Sequence, residues 1–236
     1  MSQSLIGKTA LVTGGSRGIG RAVALCLARE GATVALTYNA NQADADEVVS
    51  SIQQAGGNAF ALQVDLLDGH AIPHLFVKLD SEFIKRRGST TLDVLVNNAG
   101  NPGWGGFADA TPASWDAIFA VHARAPFFVV QNALSRLAEG GRVINISSAL
   151  GTRPLPVVPI YAMAKASINN LTHLLAMQLG PRGITVNAVA PGWVKTDMNA
   201  AVRENPDTVK AIEADTALGR FGDTADITSV VAFSGL

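Results

Sequence analysis

The sequence predicts an α/β fold in which a doubly wound parallel sheet carries helices on both faces, within a single domain. Three observations predict it. Short apolar, β-branched segments alternate with segments of helical periodicity along most of the chain, which is the pattern of repeated β-α-β units. The first apolar segment runs into a glycine-rich turn and then a helix. Polar or glycine-containing segments follow each predicted strand, at the edge where such a sheet binds ligands.

Six strands are predicted, and glycine or proline ends many of the elements. Each strand is a short apolar run, too short for a helix. The strands are predicted at 9–12, 33–38, 58–64, 92–96, 142–147 and 184–189. Apolar residues at helical spacing between them predict helices at 21–29, 42–55, 69–87, 114–138 and 159–179. Gly31, Gly56, Gly57, Gly180 and Pro191 stand where these elements stop.

The chain after the sixth predicted strand is expected to cover the ligand-binding edge. Residues 196–219 form an excursion longer than an ordinary loop, and such excursions usually serve binding. We therefore expect a mobile lid there, with helical patterning at 206–217 that predicts a small flap. Residues 223–233 are predicted as the final helix.

Composition places the chain among globular proteins and argues against several partners. Apolar residues make up 48% and charged residues 16% of the chain, enough for a large buried core. Lys and Arg number 18 against 19 Asp and Glu, so the net charge of −1 gives no sign of a nucleic-acid-binding surface. The sequence shows neither a signal segment nor an apolar run long enough to span a membrane. We expect a cytoplasmic protein without nucleic-acid or membrane partners.

Cysteine and histidine give no sign of a disulfide or a metal site. Cys26 is the single cysteine and lies in an apolar helical setting, which predicts a packing role. His70 and His74 are one helical turn apart, but Pro73 intervenes and no third ligand is evident. We therefore predict no metal.

The segment around Gly14, Gly18 and Gly20 predicts a place for an anion. These glycines separate a strand from a helix whose free N–H groups and positive dipole end face the turn. Glycines also let the backbone approach a phosphate closely. Because the spacing is not G-x-G-x-x-G, two interpretations stay open, a nucleotide-binding turn and a tight strand-to-helix corner.

Tyr161, Lys165 and Ser148 are the candidates for acid–base chemistry. Tyr161 and Lys165 are four residues apart, on one face of a predicted helix, and Ser148 ends the fifth strand. A phenol has a reference pKa of about 10, too high for efficient proton transfer at neutral pH. A neighbouring ammonium favours the phenolate and is expected to lower the pKa of the phenol. Taken alone, the pair is equally typical of an ordinary amphipathic helix face.

Together, these motifs resemble the short-chain dehydrogenase/reductase family, in particular its 3-oxoacyl-carrier-protein-reductase-like branch. The resemblance rests on the glycine turn, Asp65, the Asn-Asn-Ala-Gly segment from Asn97, the Ser148/Tyr161/Lys165 set and Pro191-Gly192. It extends from about residue 8 to residue 233. It implies a Rossmann-type fold, hydride transfer between a nicotinamide cofactor and a ketone or secondary alcohol, and a homo-oligomer, dimer or tetramer.

The resemblance also implies a role for each site residue. Tyr161 would be the general acid or base, Lys165 would lower its pKa and bind the nicotinamide ribose, and Ser148 would hold the substrate oxygen. Asp65 would accept a hydrogen bond from the adenine amino group, the alternative being an ordinary turn Asp. The residues expected to bind the cofactor, besides Tyr161 and Lys165, are Gly14, Ser16, Arg17, Gly18, Ile19, Gly20, Tyr38, Asn39, Asp65, Leu66, Asn97, Asn98, Ala99, Gly100, Pro191, Gly192, Val194 and Thr196.

The second strand and the glycine turn favour NADP(H) over NAD(H). An acidic residue ends the second strand in relatives that prefer NAD, whereas Tyr38 and Asn39 stand here and Asp44 follows only in the next helix. Arg17 lies at the start of the first helix, where a cation opposes the dipole unless an anion joins it. A ribose 2′-phosphate would be that anion. NAD(H) remains possible, since Arg17 could also be a solvated loop cation.

Two features depart from the family pattern. His122 stands where the family has an asparagine that helps anchor a water of a proton relay. An imidazole can also donate and accept, so His122 is either a catalytic relay residue or a space-filling side chain bonded to the backbone. The family's seventh strand also has no counterpart after residue 233, which weakens the expectation of a tetramer.

The sequence therefore predicts an NADP(H)-dependent ketone reductase or alcohol dehydrogenase, with a 3-oxoacyl thioester as the favoured substrate. Apolar residues at 101–107 and 150–158, together with Trp193 and Met198, suggest walls for a hydrophobic ketone or acyl chain. Two alternatives stay open. One is an NAD-dependent alcohol or sugar dehydrogenase, and the other is a non-catalytic nucleotide-binding scaffold.

Overall fold

One parallel sheet of six strands forms the centre of the molecule in the computed structural model, which describes residues 4–235. The strands are β1 Thr9–Val12, β2 Thr33–Tyr38, β3 Asn58–Gln63, β4 Leu92–Asn97, β5 Leu137–Ile146 and β6 Thr185–Val189. They lie in the order β3-β2-β1-β4-β5-β6, and every pairing is parallel. This is the doubly wound sheet that the alternating pattern predicts.

Nine helices flank the sheet within residues 4–235. They are α1 Gly18–Arg29, α2 Gln42–Gln54, α3 Ala71–Arg87, α4 Pro112–Phe119, α5 Ala125–Ala133, α6 Pro159–Leu179, α7 Ala200–Arg203, α8 Pro206–Asp215 and α9 Thr224–Gly235. No helix in this part of the chain is both long and apolar enough to cross a membrane.

The two faces of the sheet bury separate apolar layers. Side chains of α3, α5 and α6 pack on one face in a cluster that includes Phe76 and Val129. On the other face α1, α2 and α9 pack in a cluster that includes Leu27, Val48 and Val231. Each fully buried side chain of this size contributes about 1.5–3 kcal/mol. The layers therefore hold the strand ends, where the site lies, in fixed positions.

The order of the strands reverses between β1 and β4, which places two polar segments side by side. Val12 pairs with Val96 in the parallel register, and the N–H of Thr13 continues the ladder to the Val96 carbonyl at 3.0 Å. The chain then leaves β1 through the glycine turn and leaves β4 through Asn97 and Asn98. Ligands of doubly wound sheets bind at such a switch point.

The predicted long helix at 114–138 is wrong in its middle and at its end. A π-helical turn, Ala120–Arg124, separates α4 from α5, and β5 begins at Leu137. Pro126 explains the turn, because proline has no N–H to donate and its ring clashes with the carbonyl four residues earlier, that of His122. The early part of β5 bends at Gly140, whose φ of +70° is left-handed.

The predicted lid is mostly helical. After a short turn at Asp197–Asn199, it consists of α7 and α8, so the predicted flap at 206–217 is confirmed as α8. A parallel bridge between Val194 and Gly222 closes its base, with the Lys195 N–H donating to the Gly222 carbonyl at 2.9 Å. The mobility of the lid stays a prediction. The predicted final helix is confirmed as α9.

Candidate active site

The glycine turn is packed too tightly for side chains. Gly14 and Gly18 have φ values of +64° and +55°, a left-handed conformation that favours glycine. A Cβ on Gly14 would lie 2.8 Å from the Cα of Ala99, and a Cβ on Gly20 would overlap the carbonyl oxygen of Gly14. Arg17, the N-cap of α1, makes no capping bond with its side chain. The first turn of α1 therefore presents N–H groups without a side-chain cap, which suits an anion.

Asn98 ties the end of β4 to this turn. Its side-chain amide donates to the carbonyls of Thr13 and Gly14 at 2.9 and 3.0 Å. The Thr13 hydroxyl accepts from the N–H groups of Asn98 and Ala99 at 2.9 and 3.1 Å. The structure thus brings together the predicted cofactor residues of both segments. Thr13 was not among the predicted residues, although its place directly after β1 is the signal that could have found it.

Arg17 faces a cavity of about 410 Å³ beside the glycine turn, with Ser16, Gly18 and Thr196 in its lining. Within residues 4–235 no hydrogen bond or ion pair holds the Arg17 guanidinium, whereas Arg21 in the same cavity is paired with Glu47 at 2.7 Å. Tyr38 and Asn39 follow at the end of β2, the first half-buried and the second exposed. This end of the site therefore offers an unpaired cation and no carboxylate at the end of β2.

Asp65 and Leu66 lie just beyond β3, with Asp65 exposed and Leu66 buried. One carboxylate oxygen of Asp65 accepts from the N–H of Leu67 at 2.9 Å. This is the turn contact that the plainer interpretation of Asp65 expects. The contact to adenine stays a prediction.

Ser148, Tyr161 and Lys165 meet at the end of β5 and the first turns of α6. Pro159 opens α6, and Tyr161 and Lys165 then share one face of the helix. The Ser148 side chain is close enough to the phenol of Tyr161 to favour its charged form. Lys165 is buried, and its Nζ donates to the Ile146 carbonyl at 2.8 Å. The three residues form one polar cluster beside the switch point.

Burial sets the protonation of this cluster. It raises the pKa of Tyr161 above its ordinary value, and the hydrogen bond from Ser148 opposes that shift. It also lowers the pKa of Lys165 to about 8. The expectation was a lowered pKa for Tyr161, but in the ligand-free protein the net shift is upward, because burial outweighs the effects that favour the phenolate. The Lys165 Nζ lies 5.6 Å from the centre of the Tyr161 ring and is directed to a backbone carbonyl.

The ring of His122 packs against the ring of Tyr161. The two rings meet edge to face, with 5.0 Å between the centroids and 80° between the planes. The His122 Nε2 is 2.9 Å from the carbonyl oxygen of Asn101 and 3.2 Å from its N–H nitrogen. Burial, with the charge of Lys165, lowers the pKa of His122 to about 3. Asn101 was not predicted as a site residue, since a backbone contact leaves no signal in the sequence.

The segment after β6 adjoins the serine. The N–H of Ala149 donates to the Pro191 carbonyl at 2.9 Å, and the N–H of Ser147 donates to that of Val189 at 2.8 Å. Pro191 and Val194 are buried, and Gly192 is exposed. The hydrogen bond from Ala149 places Pro191, one of the residues predicted to bind the cofactor, next to Ser148.

The predicted substrate wall at 150–158 lines a groove that only partly adjoins the cluster of Ser148, Tyr161 and Lys165. Leu155 and Pro156 line an apolar groove of about 340 Å³ together with Ala162 and Met163. Met163 lies about 160° around α6 from both Tyr161 and Lys165, because successive helix positions are 100° apart. Leu150, two residues after Ser148, also lines the groove, so the groove begins beside the polar cluster and extends away from it.

A glycine turn at the switch point and an adjacent serine, tyrosine and lysine define a dinucleotide-binding protein equipped for proton transfer at an oxygen atom. The family model described as enoyl-(acyl carrier protein) reductase matches residues 14–233. The chain belongs to the short-chain dehydrogenase/reductase family. The predicted family, fold class and oxidoreductase class are thereby confirmed.

Several relatives are named reductases. Versicolorin reductase 1 of Aspergillus parasiticus is 38% identical over 240 residues, covering 97% of this chain and 89% of its own. The solved structure of the promiscuous reductase LugOII, which catalyses keto-reduction at C1 during lugdunomycin biosynthesis, has a TM-score of 0.94 and 44% identity and covers 98% and 92% of the two chains. The angucycline C-6 ketoreductase LanV with bound NADP has a TM-score of 0.94 and 41% identity, covering 98% and 90%. The NADP in LanV agrees with the cofactor predicted for this chain.

Proposed function

We propose that the protein is an NADP(H)-dependent reductase of ketones, able to oxidise the corresponding secondary alcohols in reverse. The observation that carries this proposal is the phenol of Tyr161, next to the Ser148 side chain and with the Nζ of the buried Lys165 5.6 Å from its ring centre. Because burial raises the pKa of the phenol, Tyr161 is protonated at neutral pH. A protonated phenol is the acid that ketone reduction requires.

The residues at the switch point fit a dinucleotide. A Cβ on Gly14 or Gly20 would collide with the backbone of this turn and of Ala99, so glycine keeps the turn tight, and the N–H groups of the first turn of α1 have no side-chain cap and are available to a phosphate. Gly14–Gly20 would hold the pyrophosphate and Lys165 the nicotinamide ribose. When bound, the nicotinamide supplies the hydride for the carbonyl carbon.

The protein's own groups act on the carbonyl oxygen. The Ser148 hydroxyl donates a hydrogen bond that orients this oxygen, and Tyr161 delivers the proton as negative charge develops there. The Lys165 ammonium then stabilises the phenolate left on Tyr161, since opposite charges a few ångströms apart favour the charged form. Lys165 thus acts on the product state of the proton transfer.

Arg17 supports the choice of NADP(H) over NAD(H). Its guanidinium is unpaired beside the glycine turn within the described chain, and a planar guanidinium binds a phosphate through two parallel bonds. The test compares kcat/KM for NADPH and NADH in the wild type and in Arg17→Ala. We expect the wild type to prefer NADPH and the variant to lose that preference. A wild-type preference for NADH would support the alternative of an NAD-dependent dehydrogenase.

Two substrate classes have specific support. The matching family model is described as a reductase of enoyl groups on acyl carrier protein, which supports an acyl thioester of the kind that the sequence favours, although not its 3-oxo group. The named ketoreductases support a ketone of the kind that an angucycline C-6 ketoreductase or a versicolorin reductase takes. Measuring kcat/KM for an acetoacetyl thioester and for a fused-ring hydroxyketone decides between them. The higher value identifies the class.

The activity itself is tested by following the absorbance of reduced nicotinamide over a panel of ketones. We expect turnover by the wild type and a loss of several orders of magnitude in Tyr161→Phe, with NADPH binding retained. Lys78→Met, a change on the exposed face of α3, is the control. Cofactor binding without turnover of any ketone would support a non-catalytic scaffold instead.

We also propose that the protein is a homo-oligomer, with the cytoplasm as its location. The outer face of α6 exposes Met163, Leu174 and Met177, and the one formally charged residue of this 21-residue helix, Lys165, is buried. A helix that lacks a charged outer face normally has that face covered. With the adjoining face of α5, where Phe127 is exposed, the surface offers roughly 600 Å² per partner, near the lower end for stable interfaces.

The oligomer is tested by light scattering of the wild type and of Met177→Glu. We expect a dimer or larger species for the wild type and a shift towards monomer for the variant, because an unpaired carboxylate would be buried. Val77→Glu, on the exposed side of α3, is the matched control. A monomeric wild type would refute the proposal.

A further inference from the structure

His122 stands at a distortion of the main chain that the sequence imposes. It lies in the π-helical turn between α4 and α5, where the N–H of Ala125 donates to the Ala120 carbonyl five residues earlier. Pro126 enforces this widening. The turn brings His122 to a position where 2% of the residue is exposed, between the chain that leaves β4 and the ring of Tyr161.

Among residues 4–235, the polar contacts of the imidazole are both to the main chain of Asn101. Because the His122 Nε2 is within hydrogen-bond distance of both the N–H and the carbonyl of Asn101, either neutral tautomer binds this residue. The same ring abuts the neighbouring glycine, since a Cβ on Gly100 would lie 2.8 Å from the His122 Cε1. The ring therefore fixes the backbone of residues 100 and 101.

The same stretch of chain contacts the catalytic tyrosine. A Cβ on Gly103 would lie 2.7 Å from the Cβ of Tyr161 and 3.0 Å from the Cδ1 of Ile118. The loop thus passes directly over the base of the Tyr161 side chain. His122 holds this loop on one side and touches the Tyr161 ring on the other, so it sets the spacing between them.

The surroundings exclude a charged imidazole. Lys165 and Tyr161 are the titratable groups that face His122, and the Nδ1 has no partner in residues 4–235. A second proton on the ring would therefore create a buried donor without an acceptor, close to an ammonium. Burial and the charge of Lys165 lower the pKa of His122 to about 3, so the ring is neutral at neutral pH.

We propose that His122 is a positioning residue, which acts as a neutral clamp on the main chain at Asn101 and so fixes the loop after β4 against the Tyr161 phenol. This rests on the proposed ketone reduction, in which a small displacement of the phenol from the substrate oxygen slows proton transfer. The clamp needs a side chain that can donate to the Asn101 carbonyl or accept from the Asn101 N–H. It needs no change in the protonation of His122 during turnover.

The variants His122→Gln and His122→Phe test the clamp. Phenylalanine keeps a ring of similar size but cannot bond to Asn101, whereas glutamine keeps a donor and an acceptor. We expect His122→Phe to lower kcat/KM for a ketone roughly ten- to a hundred-fold, mostly in kcat, because a backbone partner is left unpaired. His122→Gln is expected to recover most of that loss. The Kd for NADPH is expected to change by no more than about three-fold in both variants.

Two further measurements separate this role from packing and from a proton relay. The amide resonance of Asn101 is expected to shift in His122→Phe and to return towards its wild-type position in His122→Gln. The His122 ring nitrogens are expected to show one neutral state between about pH 5 and pH 9. His173→Gln, a change of the same kind at an exposed position of α6, should alter none of these values.

Three results would overturn the proposal. The first is full activity of His122→Phe, which would mean that His122 only fills space. The second is a His122→Gln variant no better than the phenylalanine variant. The third is titration of the His122 ring in the working pH range, which would indicate a relay. Because the resonances are measured without substrate, a wild type that turns over no ketone would refute the proposed function and leave the clamp to be decided by the spectra.

Discussion

Lys165→Met is expected to make the ligand-free protein more stable at neutral pH while it abolishes activity. Methionine has a similar length and no charge. Lys165 is 5% exposed, and burial lowers its pKa from the ordinary 10.5 to about 8. The protonated lysine is therefore less favourable in free energy in the folded protein than in the unfolded chain.

The magnitude follows from that shift. A displacement of about 2.5 pKa units corresponds to about 3 kcal/mol at ~1.4 kcal/mol per unit. The substitution also removes the hydrogen bond from the Lys165 Nζ to the Ile146 carbonyl, which is worth about 1 kcal/mol. We expect a net gain of about 2 kcal/mol in the free energy of unfolding near pH 7.

The stability difference between the wild type and Lys165→Met is expected to depend on pH. Between about pH 8 and pH 10.5 the unfolded chain binds a proton at Lys165 that the folded protein has released. Wild-type stability therefore rises with pH in this window through Lys165, while Lys165→Met lacks that rise. The advantage of the variant is fully present below pH 8 and shrinks above it.

Urea unfolding at pH 7 and pH 9.5, followed by circular dichroism without cofactor, measures the difference. Lys78→Met, at an exposed position of α3, is the control and should stay within about 0.5 kcal/mol of the wild type at both values. A variant that is less stable than the wild type at pH 7, or whose advantage is the same at both pH values, would refute the reasoning.

Three further predictions concern the turn, the serine and the core. Gly20→Ala should lose NADPH binding by at least tenfold in fluorescence titration, because the added Cβ would overlap the Gly14 carbonyl oxygen. Ser148→Ala should lower kcat roughly 100-fold and move the alkaline limb of the pH–kcat profile for ketone reduction to higher pH, because Ser148 lowers the pKa of Tyr161 and the acid form is the active one. Leu79→Ala, at a fully buried position of α3, should reduce the free energy of unfolding by about 2–5 kcal/mol in urea titration, with kcat unchanged.

The strand ends were predictable because their signal is local. A short apolar run followed by glycine or a polar residue identifies both the strand and the segment that reaches the ligand. Gly14, Asn98 and Ser148 could be placed at one edge of the sheet on that basis, since parallel strands all end at the same edge. Glycine at residue 14 is explained further by the structure, through its left-handed φ of +64°.

The interruption at 120–124 was harder to predict because two signals compete there. The apolar periodicity of residues 114–133 continues across Pro126, and a helix with a proline in its first turn has the same local pattern. A continuous helix and an interrupted one differ in whether the backbone forms a π-helical turn at 120–124, and that depends on how α4 and α5 pack. The sequence of 137–141 has the same difficulty, because Gly140 and Gly141 are typical of a loop yet continue β5.

The direction of the Tyr161 pKa could not be predicted from the spacing to Lys165. Spacing along a helix gives the distance between two side chains, whereas the pKa depends on how much water each has lost and on where the ammonium is directed. Here the Ile146 carbonyl holds the Lys165 Nζ, and burial dominates both groups. These quantities come from the packing of α6 on β5, which no local pattern records.

The packing of α6 on β5 places the reactive groups in positions where they lower the free energy of unfolding. Lys165 is buried and Tyr161 is partly buried, with their pKa values displaced in opposite directions, and the side-chain oxygens of Asn97 and Asn101 have no partner within residues 4–235. Each of these raises the free energy of the folded state relative to a well-paired interior. The two apolar layers of the sheet offset this, because they fix the strand ends independently of the polar cluster. A site of this kind is expected to gain stability when a ligand supplies the missing partners, so NADPH should raise the midpoint of thermal unfolding more in the wild type than in Lys165→Met.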